Sequence, residues 1–364
     1  MNLDVDLRAR EDVPAWLAYG TPIFTVVAAL LVGGVALVAL GVDPLAAYEH
    51  MFVNTATTEF GIVQTLIRSV PLVLAGLAVY VPLKAGLWNI GAQGQLYMGA
   101  VAGTWIGVNV GLPLPVLIPL LLVGAGVLGA VWGGIPGYLR AKYGVNEIIV
   151  TLMMSFVGVQ LTSYLVRGPM RGGEGNFPVS ALLPSEATLP TIFGSLHAGI
   201  FVAALGAIAI YLLFDRLRLG YEITYVGANP DAAEQSGMNT FRIYVFVLAL
   251  GGVLAGLAGA IEIAGVQGRL RPDFSPGYGF TAIPIALLGR NGVPQVTLAG
   301  VFFALLEVGG SSMEIAFNVP AALIDVIQAL IILFLITAEF FKRYRVSIEI
   351  QRGQRAGQAA EEGA

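Results

Sequence analysis

Three side-chain amides, Asn89, Gln93 and Gln95, fall in one short window of KAGLWNIGAQGQLYMGA, residues 84–100, a stretch that is otherwise apolar and glycine-rich. Amides pair a donor with an acceptor and so suit hydroxyls, other amides or backbone. With no imidazole, thiol or carboxylate among them, they offer no general base and no nucleophile. A second polar set, Thr151, Ser155 and Thr162, shares one broad helical face in YGVNEIIVTLMMSFVGVQLTSYLV, with Gly158 between its members. Small polar residues serve helix packing in membranes as readily as they line a polar route, so both readings stand. Asp325 and Gln328 form a pair three residues apart. Asp325 suits either a pathway or an interfacial side chain that reaches water. Glu262 and Glu307 also fall in apolar segments, toward their ends. The cost there is below the roughly 2.5–3.5 kcal/mol of a charge at mid-bilayer.

A different kind of signal sits in GANPDAAEQSGMN, residues 227–239. Asn229 is a helix cap, Pro230 suits the first helical position, Asp231 favours the positive helix end, and Gly237 suits a left-handed stop. The string predicts a helix of about two turns, through Ala232, Ala233 and Glu234. Such a helix is marginal in water. It is either a solvated connector or a docking element held by a partner.

Several chemistries are excluded. No GxxxxGK[ST] phosphate loop is present, so this chain has no nucleotide site of that kind. The chain has no cysteine, and its two histidines, His50 and His197, match no metal-ligand spacing. No carboxylate pair or serine elbow marks an enzyme. A net charge of −4 without a basic block argues against nucleic acid.

The elements that must position these residues are membrane helices. Of 364 residues, 57% are hydrophobic and 12% charged, about half the charge of a globular domain. Spans of about 20 apolar residues are expected near 20–42, 61–83, 87–110, 114–137, 146–167, 197–214, 241–263, 277–289, 293–311 and 319–341. The eighth is short enough to be a re-entrant or broken helix. With the N-terminus inside, fourteen of the nineteen Lys and Arg residues fall on the inner side, as the positive-inside rule requires. The expectation is therefore an all-α polytopic bundle of about ten transmembrane helices with both termini cytoplasmic. It is one transmembrane domain, residues 1–341, with a polar cytoplasmic tail over 342–364. An outer loop covers 168–196 and an inner loop 215–240. Spans 2–5 and 7–10 form an inverted repeat by topology, an arrangement common in transporters. Glycines 99, 103, 107 and 111, with 129, 133, 137, 252 and 256, recur every four residues and predict close helix contacts.

AGLWNIGAQGQLYMGA resembles the third-span motif of ABC importer permeases of the ribose and branched-chain amino-acid permease superfamily, specifically the nucleoside and simple-sugar branch. YGVNEIIVTLMMSF, VGANPDAAEQSGMN and TAIPIALLGRNGVP are similar to later segments of that branch, in the same order, across residues 60 to 340. The resemblance implies a non-catalytic permease subunit in a prokaryotic cell membrane. It implies four partners: a second permease, identical or homologous, cytoplasmic ATPase subunits that bind the ATP, an extracellular substrate-binding lipoprotein, and the bilayer. No cofactor is implied for this chain. By the same resemblance Asn229–Gly237 would be the coupling helix on the ATPase, and Asn89, Gln93 and Gln95 would lie around the translocation path. Gln93 stands where the branch usually has Glu. The implied function is ATP-driven import of nucleosides, or of simple sugars such as ribose or galactose by the same machinery. A secondary transporter or channel without an ATPase, and a purely structural subunit, are the readings from other classes.

Overall fold

The computed structural model describes residues 2–9, 15–172 and 177–351. All ten expected segments are helices, and no end is displaced by more than six residues. They are α1 (Ala15–Ala39), α4 (Glu59–Lys84), α5 (Ala92–Asn109), α6 (Leu114–Tyr143) and α7 (Glu147–Arg167). The series continues with α8 (Gly199–Arg216), α11 (Thr240–Glu262), α12 (Tyr278–Leu288), α13 (Val293–Phe317) and α14 (Ala321–Arg343). Residues 44–57 had no expected element and form α2 (Pro44–Tyr48), a π-helical turn over Glu49–Asn54, and α3 (Thr55–Thr57). The inner loop holds two further helices, α9 (Arg218–Ala228) and α10 (Pro230–Gln235).

Among the described residues, six helices are long and apolar enough to cross a membrane: α4, α6, α7, α8, α11 (continued to Gln267) and α13. Shorter apolar stretches lie at Val26–Ala39, Tyr278–Leu288 and Ala321–Phe334. Helix α5 is long enough but is not among the six, because its amides and glycines lower its hydropathy. Its buried position explains how it tolerates them: thirteen of its eighteen residues are buried.

Burial sorts the helices into layers. Helix α4 is central, 83% buried over its most apolar window, whereas α6, α7 and α8 are 28%, 22% and 22% buried. The exposed faces of those three carry Val123, Val127, Val131, Met153, Phe156 and Leu205, side chains that lipid can cover without cost. Between the layers the spaced glycines do what their period predicts. A Cβ added at Gly99 would overlap the Gly256 backbone, and one at Gly129 or Gly133 would overlap α11 carbonyls. Gly107 instead meets side chains of the outer loop, and Gly111 lies past the helix in open space.

The outer loop is ordered against the segment after α11. Ser180 N donates to Leu270 O, Leu270 N donates back to Ser180 Oγ (2.8 Å), Leu183 N donates to Gly268 O, and Leu189 N donates to Ala264 O. It ends in a small hairpin, β2 (Thr191–Phe193) with β3 (Leu196–His197).

The chain divides into two compact units, Leu45–Asn318 and a smaller one that pairs Met1–Pro44 with Val319–Ala364. The second joint carries Asn318 in a left-handed conformation (φ 53°), followed closely by Pro320. Helix α14 groups with α1 in the smaller unit, and α11–α13 belong to the larger one. In the smaller unit β1 (Asn2–Ala9) pairs antiparallel with β4 (Tyr344–Gln351). The expected polar tail over 342–364 therefore holds a strand up to Gln351, and residues 352–364 lie outside the described ones.

Candidate functional site

The glycine-rich stretch that opens the amide motif is a break between helices. Helix α4 stops at Lys84, Gly86 takes a left-handed φ of 75°, and helix resumes at Ala92. A break leaves backbone groups unpaired, and in an apolar interior each must find a partner. Asn89 and Gln95 supply part of the answer as a reciprocal pair: Asn89 Nδ2 donates to Gln95 Oε1 (3.0 Å) and Gln95 Nε2 to Asn89 Oδ1 (3.1 Å). Asn89 also donates to the Ala78 carbonyl and accepts from Gly91 N–H. The pair fits because its neighbours lack side chains. A Cβ at Gly133 would come 2.9 Å from Gln95 Nε2, and one at Gly251 3.1 Å from Asn89 Nδ2.

The hydroxyl stripe of α7 meets the same break. Thr151 Oγ1 donates to the Glu147 carbonyl (2.7 Å) and accepts from Ile90 N–H (3.3 Å). Ser155 Oγ donates to the Ile90 carbonyl (3.0 Å) and accepts from Gly94 N–H (3.4 Å). Two hydroxyls therefore satisfy both polar groups of one residue in the broken segment. Glu147, held by Arg140 at 3.4 Å, accepts from Trp88 N–H at its rim.

Gln93 ties the break to α12. Its Oε1 accepts from Gly279 N–H (2.7 Å), and its Nε2 donates to Ser275 Oγ (3.3 Å). Ser275 in turn accepts from Gly277 and Tyr278 N–H, at the start of α12. A carboxylate at position 93 would face the same N–H groups at a helix N-terminus, where negative charge is favoured. That is the physical sense of Glu in the branch pattern.

Five of the six residues expected along a path, Asn89, Gln93, Gln95, Thr151 and Ser155, are thus together. All five are buried and bonded to one another or to backbone. Their contacts hold the break in shape. The sixth, Asp325, is exposed on α14 in the smaller unit.

The cytoplasmic motif folds as its sequence predicts. Asn229 caps α10 by accepting from Ala232 N–H (3.0 Å), Pro230 takes the first turn, and Gly237 adopts φ 80°. Ala233 is fully buried as the anchor, while Pro230, Asp231, Glu234 and Gly237 are exposed, and Ala232 is half-buried. Thr240 Oγ1 donates to Glu234, closing the turn into α11. The preceding helix, α9, ends on the break itself, since a Cβ at Gly227 would overlap the Lys84 carbonyl.

A profile described as branched-chain amino acid transport system / permease component matches residues 61–336. The chain belongs to this family. It is a multi-pass protein of the plasma membrane with a transport role. It is 59% identical to the glucose ABC transporter permease protein TsgB13 of Haloferax volcanii, across 97% of this chain and 96% of the relative. It is 32% identical to the guanosine ABC transporter permease protein NupP of Bacillus subtilis, across 86% and 91%. A nucleoside ABC transporter permease protein of Lactococcus lactis, NupB, is 29% identical across 86% and 89%. These relatives are permeases, in keeping with a non-enzymatic role.

One polar group is not among the residues expected to form a site. Arg68 on α4 forms an ion pair with Glu307 of α13 at 3.5 Å and donates to Tyr278 Oη of α12. Glu262 lies nearby and accepts from Gln267 Nε2 (2.9 Å). Arg68 and Glu307 border a cavity of about 750 Å³. The available signal was a cation and two carboxylates in three separate apolar segments, which demand partners when buried.

Proposed function

We propose that this chain is the membrane permease subunit of an ATP-driven importer for a neutral, polyhydroxylated solute, with a glucose-class sugar as the first choice of cargo. The observation that carries the coupling role is α10: a two-turn helix, capped at both ends, anchored by one buried alanine, and presenting its other residues outward. A separate ATPase subunit grips that face, and Asn229 to Gly237 form the handle. Movement of the handle reaches the bundle through α9, whose last turn rests on the break at Lys84–Gly86. The amides and hydroxyls at the break keep the joint defined while it moves.

The β1–β4 pairing supports both termini on one side of the membrane, as an even number of crossings requires, and the placement of Lys and Arg makes that side the cytoplasm. The outer loop, pinned to residues 264–270 and exposing Phe177, Leu182, Ile192 and Phe193, is the proposed docking surface for an extracellular binding lipoprotein. A second permease, identical or homologous, completes the membrane part. ATP stays on the ATPase subunits, and this chain takes no cofactor.

The relative named for glucose supports sugar cargo over the nucleoside cargo implied by the motif. The relatives named for guanosine and nucleosides keep nucleosides as the second reading. Co-purification tests the assembly. Asp231→Trp with Glu234→Arg, both at exposed positions, should leave the permease folded and strip the ATPase from it. An unaltered complex with full uptake would refute the docking role.

A further inference from the structure

The cavity beside Arg68 has its own chemistry. It lies between α13, the N-terminal half of α4, and the π-helical turn Glu49–Asn54, on the outer side in the expected orientation. Its polar lining includes Asn54, Gln64, Arg68, Glu307, Ser311 and Ser312. His50 stands at the wall, its Nδ1 3.1 Å from Ser312 Oγ. Phe60 and Ile315 add two largely exposed apolar groups at the rim.

Such a lining cannot face hydrocarbon, because amides, hydroxyls and an ion pair at membrane depth need water or a ligand as partner. Its formal charges cancel: Arg68 and Glu307 are already paired, so an ionic solute finds no net field of opposite sign. What remains is a dense set of donors and acceptors of both kinds, with an apolar edge. That set matches a ring carrying several hydroxyls, which accepts and donates at the same atoms and offers a C–H face to an aromatic side chain. The volume of about 750 Å³ falls in the roughly 300–1,000 Å³ range of small-molecule sites. A second cavity, about 420 Å³ and lined by Val101, Trp105, Ile106, Leu128, Leu165 and Met170, lacks this polar complement.

The walls are also fixed in place. A Cβ at Gly61 would overlap the Thr55 carbonyl, and one at Gly309 the Met51 carbonyl, so two glycines let α3 press against α4 and the turn press against α13. π-helical turns concentrate at functional sites.

We propose that this cavity is a binding site for a neutral polyhydroxylated ring, the shared chemistry of a hexose and of a nucleoside's ribose, and that Gln64, Asn54 and Ser312 set its selectivity. The proposal rests on the permease reading. Its test is direct binding: radiolabelled D-glucose and guanosine are titrated, without binding lipoprotein, onto the full-length chain in lipid nanodiscs with the subunits that co-purify with it. Saturable binding of either is expected, weakened at least tenfold by Gln64→Leu and by Asn54→Leu, with the melting temperature of the assembly unchanged. Binding of glucose alone identifies a hexose site, and binding of both identifies a site that reads the hydroxylated ring. If one variant misfolds, the other and Ser312→Val carry the comparison. No saturable binding of either solute, or equal binding by folded variants, overturns the proposal. ATP dependence of uptake in vesicles is measured alongside. ATP-independent uptake with intact, variant-sensitive binding would remove the importer reading and leave the cavity standing.

Discussion

Asn89 and Gln95 illustrate what a polar side chain inside a membrane protein is for. Each satisfies the other, and together they bind the backbone of a broken helix. Removing one strands the other, at a cost of about 1–3 kcal/mol for an unsatisfied buried amide. Asn89→Leu and Gln95→Leu should each lower the melting temperature, and the double variant should lose less than the sum. Additive losses would show that the two amides act independently. Gln93→Glu should fold and assemble normally, whereas Gln93→Leu, which abandons Gly279 N–H, should not match it in thermal stability. Equal stability of the two would show that the tie to α12 carries no weight. His197 gives a pH test outside the helices. It is buried, its Nδ1 accepts from Gly199 N–H (3.2 Å), and burial pushes the imidazole below its usual range. As pH falls through about 6.5, the unfolded chain takes up the proton before the folded one, so stability falls with acidification. His197→Asn should flatten the melting-temperature profile between pH 7.5 and 5; an unchanged slope would assign it to other groups.

At the scale of elements, helices and caps were legible in the sequence because hydropathy and capping are local signals. The α10 cap was readable residue by residue from Asn229, Pro230 and Gly237. Asn229→Ala should cost about 1 kcal/mol of local stability, seen as faster amide exchange across 230–235, and unchanged exchange would deny the cap its role. The break at 85–91 was less legible. A run of spaced glycines reads as packing, and nothing local says that helix stops at Lys84 and restarts at Ala92. The π-helical turn at 49–54 had no signal at all, since its shape depends on close approach to Gly61 and Gly309 from elsewhere in the chain. For the same reason Arg68 could not be matched with Glu307: 239 positions separate them by their numbering, and only the packing of α4 against α13 brings them together.

For the whole molecule, alternation of apolar segments and placement of Lys and Arg define the expected orientation. They carry no information on which compact unit α14 joins. The orientation has its own check. The chain has no cysteine, so single cysteines at Ser185 and Ser236 can be labelled without background. Membrane-impermeant reagent applied to intact cells should reach the first and spare the second, and same-side labelling would contradict the topology. The central claim is that this chain moves solute only when an ATPase works through α10. Uptake of labelled glucose and guanosine into proteoliposomes holding the complete complex tests it most directly, with ATP present, with ATP removed while an ion gradient is kept, and with the Asp231→Trp/Glu234→Arg variant. The account predicts uptake with ATP alone and none in the other two conditions. Uptake that persists on the ion gradient without ATP, or in the variant, would contradict it.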